Sequence, residues 1–159
     1  MKITIAAVGK IKEKYLTTGI AEFVKRLGPY CHLQILEIDE ERMPDNPSPA
    51  EKAKVLEKEG ERLLRTVRDN SYLIVLDVAG KPSSSEELSA KLDALGLAGQ
   101  SDITFAIGGA FGLAPNILGA AKERLSFSKM TFTHQMIRLL LVEQIYRAFK
   151  ISRGEPYHL

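Results

Sequence analysis

The chain has 159 residues, 45% of them hydrophobic and 26% charged, and its 22 Lys and Arg against 20 Asp and Glu leave a net charge of only +2. That balance fits one globular domain with an ordinary core, and it excludes a disordered segment, a collagen-like repeat and nucleic-acid binding through bulk charge. The single cysteine, Cys31, cannot close an intramolecular bridge, which excludes a disulfide scaffold and leads us to expect a reducing, cytoplasmic setting.

Short apolar runs alternate with longer periodic segments along the chain, a pattern that predicts strands separated by helices. Ile3 to Val8 is a buried strand, too short for a signal-peptide core, and a helix follows within Tyr15 to Leu27, ending near Gly28-Pro29. Leu33 to Ile38 is a second strand. Asp39 to Pro49 carries Pro44, Pro47 and Pro49 and reads as a loop that no helix can cross. Ala53, Leu56, Leu63, Leu64 and Val67 recur at helical spacing among Lys, Glu and Arg, so Ala50 to Val67 is an amphipathic helix. Tyr72 to Leu76 is the third strand and Asp77 to Pro82 a turn. Ser83 with Glu86, or Ser84 with Glu87, then sets a capping box for a helix that reaches Gly96. Ile103 to Ile107 is the fourth strand and runs into Gly108-Gly109. A short helix from Pro115 to Lys122 and a brief strand at Leu125 to Phe127 lead to the longest helix, Thr133 to Ile151, and a tail from Arg153 to Leu159. The stretch from Ile103 to Ala121 is uncharged, but its glycines, Pro115 and Asn116 exclude a membrane span. The repeated βα order with apolar strands predicts a three-layer α/β/α domain with a mostly parallel sheet.

Ligands on such sheets bind beyond the carboxyl ends of the strands, which singles out three loops: Leu76 to Lys81, Gly108 to Gly112, and Ser126 to Phe132. Gly108-Gly109 lets backbone approach a ligand closely, and it serves equally as a tight strand-to-helix turn. A dinucleotide fingerprint starting at Gly108 would need glycines where Ala110 and Leu113 stand, and neither Gly9-Lys10 nor Gly80-Lys81 is followed by the Ser or Thr of a phosphate loop. His32, His134 and His158 lack metal-ligand spacing, so no metal is expected.

Acidic residues thin out after residue 100, where only Asp102, Glu123, Glu143 and Glu155 remain. An anionic partner would therefore meet local basic patches: Lys10, Lys12 and Lys14 after the first strand, and Arg138, Arg147, Lys150 and Arg153 near the end. On the last helix His134 and Arg138 share one face and Glu143, Arg147 and Lys150 the opposite one, with apolar residues on both flanks. Two apolar flanks imply burial between layers or between subunits. Glu143 with Arg147 reads as an i,i+4 ion pair.

The segments LSFSKMTFTHQMIRLLLVEQIYRAFKISRGEPYH (125–158), KITIAAVGKIKEKY (2–15) and IGGAFG (107–112) closely resemble the RlmH family of SPOUT-class methyltransferases. These are bacterial enzymes that methylate N3 of a pseudouridine in helix 69 of 23S rRNA, position 1915, on the assembled ribosome. The resemblance spans the chain as a single domain, residues 1–159. It implies a C-terminal trefoil knot, a homodimer and S-adenosylmethionine as methyl donor. Carried over residue by residue, it implies cofactor contacts at Leu76, Gly108, Phe127, Ser128, Lys129, Met130, Thr131 and Phe132, within the three loops that the sheet rule selects. Thr133 stands where the family often has Pro, a change that retains a helix cap. Leu159 stands where the family usually has a basic residue.

Methyl transfer to a pseudouridine nitrogen needs its imide proton displaced and the developing charge stabilised. Arg138 or Arg153 could stabilise that charge, Tyr157 could stack on the base, and His158 could orient the base or accept the proton. Lys10, Lys12, Lys14 and His134 are the expected RNA contacts. The tail, too short to fold alone, is expected to order over the base only in the complex and to act across the dimer. Two rival readings are a nucleotide-binding sensor domain and a non-catalytic ribosome-assembly factor.

Overall fold

The computed structural model describes residues 1–158; Leu159 lies outside the described residues, together with the expectation attached to it. Among the described residues five strands alternate with five helices. Strands β1 (Lys2–Val8), β2 (His32–Ile38), β3 (Tyr72–Pro82), β4 (Asp102–Ile107) and β5 (Glu123–Ser126) form one sheet in the order β2-β1-β4-β3-β5, with every pairing parallel. Helices α1 (Lys14–Leu27), α3 (Ser85–Leu97) and α5 (Met136–Ser152) cover one face, and α2 (Pro49–Thr66) and α4 (Pro115–Ala120) the other. This is the expected three-layer α/β architecture.

The connections through α1 and α3 step one way along the sheet, and those through α2 and α4 step back across the opposite face. A single crossover hand demands that arrangement. Because β1 and β4 are neighbours whose chains depart to opposite faces, a crevice opens beyond their carboxyl ends. Side chains alternate accordingly. Ile3, Ile5, Ile74, Ile103 and Phe105 face the three-helix layer, whereas Ala6, Val8, Leu73, Val75 and Ala106 face the two-helix layer. Burial on both faces explains why these strands read as continuous apolar runs.

The helix starts have local causes. Ser48 and Glu51 form a capping box around Pro49, which takes the first turn of α2, and of the two boxes expected before α3 it is Ser84 with Glu87 that forms. At α5 the Thr133 hydroxyl accepts a hydrogen bond from the Met136 N–H at 3.1 Å, so a capped turn precedes a helix that begins at Met136 instead of Thr133. The expected turn at Asp77 to Pro82 is a correction. The strand shifts register after Leu76 and resumes pairing with β5 at Lys81 and Pro82. Gly80 permits this: a Cβ there would stand 2.8 Å from the backbone of Arg124.

Helix α5 lies against α1 and α3 over the sheet. Its flanks meet those two helices of the same layer, while Ile137, Leu139, Leu140 and Phe149 stay half-buried. Among the described residues no helix is long and apolar enough to cross a membrane.

Candidate active site

A cleft of about 990 Å³ opens beyond the carboxyl ends of the strands. It lies at the upper end of the usual range for small-molecule sites, roughly 300 to 1,000 Å³. Its apolar walls include Leu76 and Val78 after β3, Ile107 and Leu113 around the β4 loop, and Leu125 and Phe127 from β5. All the residues expected at a cofactor line it except Lys129, which is exposed beside it. Glu13, Asp77 and His134 also line the cleft, whereas among the described residues no lysine or arginine does. The β4 loop is held by a bridge between Gly109 and Gly112, and a Cβ on Gly108 would stand 2.5 Å from the Gly112 carbonyl oxygen. Gly108 is therefore required by the loop's own closure, a cause internal to the chain.

The other wall is the β1–α1 loop, tied down at three points. The Gly9 N–H donates to the Ile38 carbonyl at 2.8 Å, the Ile11 N–H to Glu37 Oε2 at 3.0 Å and the Lys12 N–H to Gln135 Oε1 at 3.1 Å. Arg138 completes this anchor. Its guanidinium donates to Glu37 Oε2 and to the carbonyls of Val8 and Gly9, each at 2.8 Å, and the residue is 0% exposed. Burial lowers its pKa, opposed by the charge of Glu37. The Arg138 side chain is thus committed to the end of β1 and does not line the cleft, which corrects its expected role at the reacting base. His134 lies outside α5, at the cleft, with Nε2 3.5 Å from a Glu40 carboxylate oxygen. The side chains of Lys10, Lys12 and Lys14 are exposed around this wall.

The tail is folded onto its own chain, contrary to the expectation that it orders only in a complex. Gly154, at φ +63°, reverses the backbone after α5. The Tyr157 hydroxyl donates to Glu143 Oε1 at 3.0 Å, and its ring meets Tyr146 edge-on at 4.8 Å between centroids. Burial and the hydrogen bond to Glu143 both raise the Tyr157 pKa. The expected pair forms, with Arg147 bonding Glu143 at 2.7 Å, and Arg147 also lies 4.7 Å over the Tyr157 ring. His158 bridges Arg147, at 3.2 Å, and Glu86, at 2.8 Å. Arg153 stacks on Tyr30, and Glu155 holds both Tyr30 and Lys150 at 2.5 Å. None of Arg153, Tyr157 and His158 lines the cleft. A second hollow of about 350 Å³, reached from Leu140 and Gln144, shares Leu125, Phe127 and Phe132 with it.

Sequence reasoning missed Glu37 and Glu13, and it placed Asp77 in a selected loop without giving it a role. Glu37 and Glu13 carry no local signal, because what gives them roles is packing against residues far along the chain. Asp77 follows an apolar run, the signal that selected Leu76.

A parallel α/β domain with a largely apolar cleft at its strand ends belongs to the class of proteins that bind small molecules there. The chain belongs to the SPOUT methyltransferase family: the family model described as "Predicted SPOUT methyltransferase" matches residues 1–158. That family's fold carries a C-terminal knot. Among curated relatives, a protein of Halothermothrix orenii named Ribosomal RNA large subunit methyltransferase H is 61% identical, the match covering 99% of each chain. Proteins of the same name from Pelotomaculum thermopropionicum and Carboxydothermus hydrogenoformans are 57% and 56% identical over 98% and 99% of each chain.

Proposed function

We infer that the protein uses S-adenosylmethionine to methylate large-subunit ribosomal RNA, at N3 of the pseudouridine that its resemblance implies, position 1915 in the assembled ribosome. The observation that carries this reading is the chemistry of the cleft lining. The methyl donor joins an uncharged adenosine to a methionine chain through a sulfonium, and with its ammonium and carboxylate it carries one net positive charge. Walls such as Leu76, Val78, Leu125 and Phe127 suit its adenosine, and Asp77 and Glu13 supply the only acidic groups of the lining among the described residues. A dinucleotide's diphosphate would meet those carboxylates without one lining cation, which disfavours the sensor reading. Leu76, Gly108 and residues 127–132 would hold the cofactor, with Lys129 at its edge. When bound, it supplies an electrophilic methyl group.

The protein's own residues then orient the base and manage its proton. His134 stands at the cleft and Lys10, Lys12 and Lys14 beside it, to meet RNA. Tyr157 and His158, with Arg153 nearby, offer an aromatic face, an imidazole and a cation to the base. A homodimer brings the tail of one copy to the cleft of the other. Exposed apolar side chains at the cleft rim support it: Val78, Phe132 and Met130, the last 75% exposed.

Calorimetry with S-adenosylmethionine and with NAD, without metal, tests the cofactor, and binding of the first alone is expected. NAD binding with no S-adenosylmethionine binding would return the protein to the sensor class. Mixing Gly108→Val with His158→Ala subunits tests the shared tail. About half the wild-type activity per verified heterodimer supports sharing, and no recovery would mean each copy uses its own tail.

A further inference from the structure

We propose that Tyr15 is a base-stacking residue for the RNA substrate, holding an unstacked nucleotide at the mouth of the cleft. The inference rests on the reading of the protein as an RNA methyltransferase and adds a specific contact to it. Tyr15 stands in the first turn of α1, lines the cleft and is 62% exposed. Tyr30, Tyr146 and Tyr157 pack together into one aromatic cluster. Among the described residues Tyr15 has no aromatic or cationic ring partner, and its hydroxyl makes no hydrogen bond.

Its placement is rigid, since the loop before it is pinned to β2 and to Gln135, and Thr17 and Leu16 bond back to the Glu13 carbonyl. Three exposed lysines, Lys10, Lys12 and Lys14, flank it, and none forms an ion pair among the described residues. A free aromatic face beside unpaired cations is the arrangement that binds single-stranded nucleic acid, with the ring taking a base and the ammonium groups its phosphates. Phe111, the exposed aromatic on the neighbouring β4 loop, differs in that its ring already carries Lys52 at 5.4 Å. Tyr15 lines the same cleft as Leu76 and Val78 after β3 and Leu125 and Phe127 from β5, so a base stacked on it lies at the mouth of that cleft.

The test compares Tyr15→Ala and Tyr15→Phe with the wild type in methyl transfer to ribosomes lacking the modification. Melting temperature, S-adenosylmethionine affinity and sedimentation are measured in parallel. Tyr15→Ala should raise KM for ribosomes about tenfold, as loss of one stacked base does, with kcat less affected. Tyr15→Phe, which keeps the ring face, should restore wild-type KM. Melting temperature, cofactor affinity and oligomeric state should not change. The proposal is overturned by a wild-type KM in Tyr15→Ala or by a Tyr15→Phe defect as large as that of alanine. It is also overturned by loss of cofactor affinity, which would place the ring on the cofactor, or by a shifted oligomeric state, which would place it against a second copy. A wild-type protein that methylates no ribosomal RNA would remove the underlying reading, whereas active wild type with an indifferent Tyr15 removes this inference alone.

Discussion

Arg138 shows how a single side chain can look catalytic and be architectural. A guanidinium taken wholly out of water needs partners for its donors, and here Glu37 and two carbonyls at the end of β1 meet both terminal nitrogens, while the buried Nε has no partner among the described residues. Removing the side chain takes a donor from the Val8 and Gly9 carbonyls, while Glu37, 36% exposed, stays solvated and keeps the Ile11 N–H, so Arg138→Met should cost about 1–3 kcal/mol, the usual cost of leaving buried acceptors unmet. Urea unfolding measures this, and an unchanged midpoint would contradict the assignment. Glu59 is a second buried charge, accepting a hydrogen bond from the Glu41 N–H at 3.1 Å. Burial raises its pKa above the ordinary 4.5, opposed by the hydrogen bond from the Glu41 N–H and by Arg62, with the charges of Glu40 and Glu41 adding to the rise. The folded state therefore holds the Glu59 proton more tightly than the unfolded chain does. The stability that goes with this is complete below 4.5 and is lost as pH rises through the raised value. Glu59→Gln, neutral throughout, should melt higher than wild type at pH 7, with the gap closing towards pH 4; a lower melting temperature at neutral pH would refute this. At Gly108 the loop argument predicts that valine, forced against the Gly112 carbonyl, distorts the β4 loop. Calorimetry should show at least an order of magnitude less S-adenosylmethionine affinity with the circular dichroism spectrum intact.

Among the elements, the strands and the first four helices were legible because each is defined by local periodicity and by caps such as Ser84 with Glu87. The three strand-end loops were legible too, since apolar runs announce where a parallel sheet ends. What could not be read was set by distant partners. Asp77 to Pro82 looks like a turn until β5 pairs with it, and Gly80 is explained only by the backbone of Arg124. The tail reads as a loose end because its partners, Glu143, Arg147 and Glu86, are scattered over two helices. Once docked, the tail can be dissected by conservative changes. Tyr157→Phe keeps the ring against Tyr146 and Arg147 and loses one hydrogen bond, so stability should fall by about 1 kcal/mol. His158→Ala frees Arg147 and Glu86. In labelled-methyl assays His158→Ala should lower transfer by at least an order of magnitude with cofactor affinity unchanged, because His158 does not line the cleft. Weaker S-adenosylmethionine binding in this variant would contradict that separation.

At the scale of the molecule, a parallel sheet gathers four loops at one edge, and the chain divides its chemistry among them. Apolar walls and two carboxylates form the cleft, exposed lysines flank its mouth, and an aromatic and ionic cluster closes the end of α5. With a net charge of +2 the surface can neutralise few phosphates, so affinity for an isolated RNA hairpin should be weak and fall with salt. On the proposed function, shape recognition of the ribosome would then supply most of the selectivity. The most direct measurement is transfer of labelled methyl from S-adenosylmethionine to ribosomes from cells lacking the modification, with the product mapped by mass spectrometry. The account predicts one methyl per large subunit, on a pseudouridine, and far less on naked RNA. No transfer to ribosomes, subunits or naked RNA by a protein that binds the cofactor would contradict it.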